Sequence, residues 1–112
     1  MDLKQMREDC DWKEAFSYAG TIRTATGCPK DPFTIDDVSR ILRFENGEND
    51  GPSWIMVGRL KDGRYFFLDA GCDYTGWDCQ AGGDAQVADT LDNLIRYGMY
   101  ESARDRLKYK TA

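Results

Sequence analysis

The chain has 112 residues, 20 Asp and Glu against 15 Lys and Arg, and a formal net charge of -5. That size suits a single domain, and the hydrophobic share of 41% is enough for a core without staples. The acid excess argues against direct binding of a nucleic-acid backbone, which needs clustered Lys and Arg. There is no histidine, so the usual zinc ligand, the usual general base and every Ser-His or Cys-His pairing are missing. No catalytic residue and no cofactor are expected. No run of 18 apolar residues occurs, so no membrane span is expected. The opening "MDLKQMREDCDWKEAF" is too charged to read as a secretory signal. The expected compartment is the cytoplasm, where Cys10, Cys28, Cys72 and Cys79 are expected as thiols.

Residues 3 to 19 read as one helix, with Leu3, Met6, Cys10, Trp12, Phe16 and Ala19 roughly on one side and Gly20 as its stop. "TIRTATGCPKDP" reads as a loop broken by Gly27, Pro29 and Pro32. In "FTIDDV", Thr34 is a cap, and Phe33 and Val38 occupy the staple positions. "VSRILRFEN" reads as one helical turn followed by a strand.

"GENDGP" is a turn by composition. "SWIMVGRL" and "RYFFLDAG" then form strands joined by Asp62-Gly63, a dipeptide that favours a two-residue hairpin. The expected pairs are Leu60 with Tyr65, Val57 with Leu68 and Ile55 with Ala70. One face then carries Ile55, Val57, Phe66, Leu68 and Ala70. The other carries Trp54, Met56, Leu60, Tyr65, Phe67 and Asp69. Both are apolar and neither is cheaply left in water. The N-terminal helix is expected on the second, with a partner or a second copy as the alternative cover. At the end of the chain Thr90 caps "LDNLIRY", Gly98 ends it, and "ESARDRLKYK" forms a last helix with Ala103 and Leu107 inward. The predicted architecture is α+β, with about four antiparallel strands in a meander, one N-terminal helix and two C-terminal helices.

The densest chemistry lies in "GCDYTGWDCQAGG". A two-residue turn at Thr75-Gly76 pairs Tyr74 with Trp77, Asp73 with Asp78 and Cys72 with Cys79, with both rings on one side and both carboxylates on the other. Opposed carboxylates repel. The remedies are a shared proton, a hard cation held with Glu48 or Asp50 of "GENDGP", an arginine from this chain or another, or divergence into solvent. Gly82-Gly83 reads as a kink, a bulge or a close backbone approach.

The runs "GENDGPSW", "LKDGRYFFLDAGCDYTGWDCQAGG" and "LDNLIRYGM" resemble a group of short uncharacterised proteins of phage and bacterial genomes. The resemblance spans roughly Phe33 to Leu107 and carries over no activity; it implies an origin in a mobile element.

The leading functional expectation is a small acidic binding protein without chemistry of its own. Asp73, Tyr74, Trp77, Asp78, Glu48 and Asp50 would dock on a basic protein surface, by analogy an enzyme of host defence or nucleic-acid handling. The second is a metal-dependent enzyme or ligand binder centred on Asp73 and Asp78. The third is a homodimer joined through the aromatic hairpin face around Trp54 and Phe67.

Overall fold

The computed structural model describes residues 1–24, 26–72 and 81–109. Two short helices open the chain, α1 (Leu3–Glu8) and α2 (Cys10–Tyr18). The expected single helix is broken at Asp9, which has an extended backbone (φ -75°, ψ 124°) and whose carboxylate accepts from Trp12 N at 3.0 Å. Aspartate favours a cap over a helix interior because its short side chain reaches the backbone amides. The break also changes what is buried. Cys10, placed on the inner side of an unbroken helix, is exposed, whereas Met6, Trp12, Ala15 and Phe16 are buried.

Five strands follow: β1 (Ala19–Arg23), β2 (Val38–Glu45), β3 (Trp54–Leu60), β4 (Tyr65–Gly71) and β5 (Gly82–Ala88). They form one sheet in the order β1-β5-β4-β3-β2. β2 to β5 form an antiparallel meander of four strands, as expected in outline, but its last strand runs over Gly82–Ala88, where the sequence reads as a kink, a bulge or a close backbone approach. The fifth strand is an addition. β1 pairs parallel to β5, which makes the sheet mixed. "AGTIR" carries a single large apolar residue and by itself reads as the helix end and the following loop. A 3-10 turn (Ile35–Asp37) leads into β2, capped by Thr34, whose side chain accepts from Asp36 N and whose N–H donates to Asp37 at 2.7 Å.

The β3–β4 register differs by one residue from the expected one. The pairs are Arg59 with Tyr65, Met56 with Leu68 and Trp54 with Ala70. Asp62-Gly63 lies inside a three-residue loop, not a two-residue one. Leu60 N donates to Arg64 O at 2.8 Å, Gly63 N donates to Leu60 O at 3.0 Å, and Gly63 has φ +97°. This is the turn in which the glycine alone takes the left-handed conformation. Asp62 accepts from Arg64 N at 3.0 Å and Nε at 2.8 Å. Partial burial works to raise the Asp62 pKa, but these two bonds and the guanidinium charge outweigh it and hold the carboxyl below its ordinary value. The Arg64 side chain is buried and also donates to Pro29 O at 2.9 Å, which ties the loop before β2 to the turn.

A one-residue slip moves half of a hairpin's side chains to the other face. Trp54, Met56, Leu60, Phe66, Leu68 and Ala70 therefore share one core with Met6, Trp12, Phe16, Ala85 and Val87 under α1 and α2. Ile55, Val57 and Phe67 share a second core with Ala88, Leu94, Met99, Ala103 and Leu107. That core is covered by α3 (Leu91–Asn93), the π-helical turn that continues it (Leu94–Gly98), and α4 (Glu101–Arg106). Thr90 caps α3, accepting from Asn93 N at 3.1 Å. Trp54 and Phe67 are 4% and 3% exposed and lie on opposite faces of the sheet. The aromatic surface expected to serve a homodimer is thus interior.

Gly58 shows how tightly the first core is filled. A Cβ there would lie 2.6 Å from the Phe66 ring and 2.7 Å from Arg40 O. Gly82, in β5, has nothing within 4 Å of the same position. Gly58→Ala is expected to destabilise the domain by about 1–3 kcal/mol, the usual result of overpacking. Gly82→Ala is expected to be neutral or slightly stabilising through the unfolded chain. Urea unfolding midpoints of the two variants measure the contrast.

Candidate functional site

Four of the six expected binding residues, Asp73, Tyr74, Trp77 and Asp78, lie outside the described residues, as does Cys79. Their proposed face-sharing is therefore not described. The strands leading to them do give a register. β4 and β5 pair Asp69 with Asp84, Ala70 with Gly83 and Gly71 with Gly82. A two-residue turn at Thr75-Gly76, carried outward, places Gly71 opposite residue 80. The observed ladder is displaced from that by two residues.

Glu48 and Asp50 are described, and both are exposed in the loop between β2 and β3. Glu48 N donates to Pro52 O at 2.9 Å, and Asp50 has φ 57°. Aspartate is among the few non-glycine residues that adopt this conformation readily. Two contacts fasten the loop to the end of β4. Asp50 N donates to Cys72 O at 3.2 Å, and Cys72 Sγ lies 2.6 Å from Asn49 Oδ1.

That fastening creates a cleft of about 640 Å³, lined by Asp50, Ser53, Asp69, Cys72, Asp84 and the backbone of Gly71, Gly82 and Gly83. Glycines at the floor make it concave. At Gly83 the close approach expected from the sequence is present, since a Cβ would lie 2.6 Å from Asp69 O. β1 also slips by one residue against β5 between Ala19 and Thr21, opposite Gly83 and Asp84.

The cleft holds a cross-strand carboxylate pair that sequence reasoning missed. Asp69 and Asp84 are directly opposite, so both side chains project from one face. Each has its own partner. Tyr100 Oη donates to Asp69 Oδ2 at 2.7 Å, and Arg23 Nη2 lies 3.9 Å from Asp84 Oδ1. Tyr100 stacks edge-on against Phe67, with ring centroids 5.6 Å apart. Burial first, and then the bond to Asp69 and its charge, push the Tyr100 hydroxyl pKa well above the usual tyrosine value. Among the described residues Met1, Tyr97 and Tyr100 are the exposed large hydrophobic side chains. Two of the three therefore sit at the junction between the π-helical turn and α4, one of them bonded into the cleft. The signal for the pair was the strand alternation on which Asp69 was placed, but the β5 partner could not be assigned while Gly82-Gly83 read as a kink.

Among the described residues no three of His, Cys, Asp and Glu are grouped so as to hold a metal ion. No helix is long and apolar enough to cross a membrane among those residues. Comparison with protein-family models, with curated proteins and with solved structures returned no match to this chain.

The folded-state tyrosine value exceeds the unfolded one. The contribution of the Tyr100–Asp69 bond to stability is therefore intact below about pH 10, and is lost as the pH rises through the higher folded value. Ultraviolet titration is expected to show Tyr100 and the partly buried Tyr109, of the six tyrosines, ionising after the ordinary group, and Asp69→Asn is expected to bring Tyr100 down while leaving Tyr109 unmoved. Six tyrosines titrating together near the free value, in native protein, would contradict the contact.

Proposed function

We infer that this is a small acidic binding protein, without chemistry of its own, that docks on a basic protein surface. The observation that carries this reading is the cleft. It gathers Asp50, Asp69 and Asp84 at one end of the sheet, beside a half-exposed tyrosine already oriented by a carboxylate. Carboxylates around a rigid aromatic side chain suit the arginines and lysines of a partner, through charge-assisted hydrogen bonds and ring–cation contact. Cys72 and Ala81, the chain neighbours of residues 73–80, both line the cleft. Asp73, Tyr74, Trp77 and Asp78 belong to the proposed surface on the sequence reading alone, together with Asp50, Asp69, Asp84 and Tyr100. Glu48 belongs to the loop that carries Asp50.

The resemblance to short phage and bacterial proteins supports a mobile-element origin. In that setting a host defence or nucleic-acid-handling enzyme supplies the basic surface, and the site of action is the cytoplasm. The net charge of -5 favours fast encounter with such a surface through electrostatic steering.

Capture from host lysate tests the reading. A partner is expected at about 50 mM salt and is expected to be largely lost near 1 M, where the Debye length falls to about 3 Å. Asp50→Asn with Asp84→Asn, and separately Trp77→Ala, are expected to abolish capture; asparagine tolerates the left-handed backbone at position 50, so the double variant is expected to keep its unfolding free energy within about 0.5 kcal/mol of the parent. Capture that survives both variants and high salt would place the binding elsewhere on the molecule.

A further inference from the structure

The nine arginines separate into two groups. Seven have partners. Arg23, Arg64, Arg96 and Arg106 pair with Asp84, Asp62, Asp92 and Glu45. Arg7 donates to Val38 O and lies 4.0 Å from Asp36. Arg43 donates to the carbonyls of Leu107 and Lys108, and Arg104 to those of Ile95 and Met99. The other two are Arg40 and Arg59. Neither has a carboxylate within 4.0 Å or a side-chain hydrogen bond among the described residues, and both are exposed.

These two are cross-strand partners, Arg40 on β2 and Arg59 on β3. Directly opposite like charges on neighbouring strands are destabilising. The next residue in the same row is Tyr65 on β4. The Arg59 guanidinium lies 5.3 Å from the centroid of its ring, a contact that holds the cation in place. Tyr65 packs at the margin of the second core, whereas Arg40 and Arg59 are exposed. The row lies at the turn end of β3 and β4, away from the acidic cleft at their other end.

We propose that Arg40 and Arg59 form a docking surface for a carboxylate-rich segment of a protein partner. Among the described residues no carboxylate lies within ion-pair distance of either arginine, so an external carboxylate relieves the repulsion. A guanidinium fork matches a carboxylate in two-point geometry. The size of the patch decides the partner class. Asp37 immediately precedes β2 and Asp62 lies in the β3–β4 turn, so negative charge flanks both arginines in the chain. A polyphosphate backbone presents many charges in a row and meets that repulsion; a short acidic stretch of polypeptide does not extend into it. The contact runs through side chains and not through strand addition. The β2–β3 register shifts twice, between Val38 and Arg40 and between Ile41 and Arg43, and such bulges bend an edge strand away from further pairing.

The test uses the full chain labelled with nitrogen-15, observing the arginine Nε–Hε resonances. The probes are a synthetic glutamate-rich peptide, oligothymidylate and inorganic phosphate. The peptide is expected to shift Arg40 and Arg59 saturably, at lower concentration than either other probe, with Arg43 and Arg104 unmoved. Arg40→Glu is expected to weaken peptide binding at least about tenfold, equivalent to about 1.4 kcal/mol. The same variant replaces repulsion with attraction and is expected to raise Tm by about 2–6 °C at low salt. The proposal is overturned by no shift at Arg40 and Arg59 with peptide, or by tighter binding of oligothymidylate or phosphate. It is also overturned if Arg40→Glu leaves both peptide affinity and Tm unchanged.

Discussion

The β3–β4 hairpin is apolar on both faces, and the rest of the molecule answers to that. Trp54, Met56, Phe66 and Leu68 cannot remain in water on one side, nor can Ile55, Val57 and Phe67 on the other. Burying each large side chain is worth about 1.5–3 kcal/mol. A sheet of this kind needs a layer on each face. The chain supplies them from its two ends, α1 and α2 below and the α3–α4 region above. The central strands are therefore shielded before any partner is considered, and the surface left for recognition is confined to the strand ends and the edges.

The turn that closes the hairpin decides which residues go to which layer. With the left-handed glycine of a three-residue loop, Trp54 and Phe66 fall on the same side and meet Trp12, Phe16 and Phe33. Phe16 and Phe33 both pack against Phe66, with centroids 5.9 and 5.3 Å away. A two-residue loop would have sent Phe66 to the other layer, away from Trp54. Arg64 reinforces the choice. Its buried guanidinium bonds both the turn carboxylate and Pro29 O, so the loop between β1 and β2 is fastened to the one turn geometry that fills both cores.

Much of this was legible in the residues. The meander, the turn before β2, the Thr34 and Thr90 caps and the inward Ala103 and Leu107 all follow from local rules. The failures share one cause: a local signal was compatible with two arrangements, and only distant packing separates them. Asp-Gly serves both hairpin loops. "REDCDW" fits a continuous helix until Trp12 must be buried. "AGTIR" becomes a strand because β5 offers it a parallel edge, and nothing within those five residues announces that. The Asp69–Asp84 pair was hidden for the same reason, since it exists only once β5 is registered against β4. The acidic character of the "GENDGP" turn was legible; its fastening to Cys72, which turns an exposed loop into one wall of a cleft, was not.

The placement of charge then separates holding the fold together from recognition. Arg43 and Arg106 bind the last helix to the β2 side of the sheet. Arg106 pairs with Glu45 at 2.7 Å and donates to Ser53 O at 2.8 Å, while Arg43 closes the helix carbonyls and lies 4.2 Å from the Tyr109 ring centroid. Arg64 does the equivalent on the other layer. Arg64 is buried and Arg106 largely shielded, and each donates to a part-buried carbonyl, so removing either leaves that acceptor without its donor, which is costly; Arg43 is exposed and its loss costs less. The carboxylates of the cleft differ. Asp50 and Asp84 are exposed and their removal leaves no buried orphan. A surface whose charges can be changed without loosening either core is one that selection can tune to a partner independently of stability. By that reasoning the end of the sheet beyond Gly71 and Gly82, and not its packed faces, is where recognition has room to evolve.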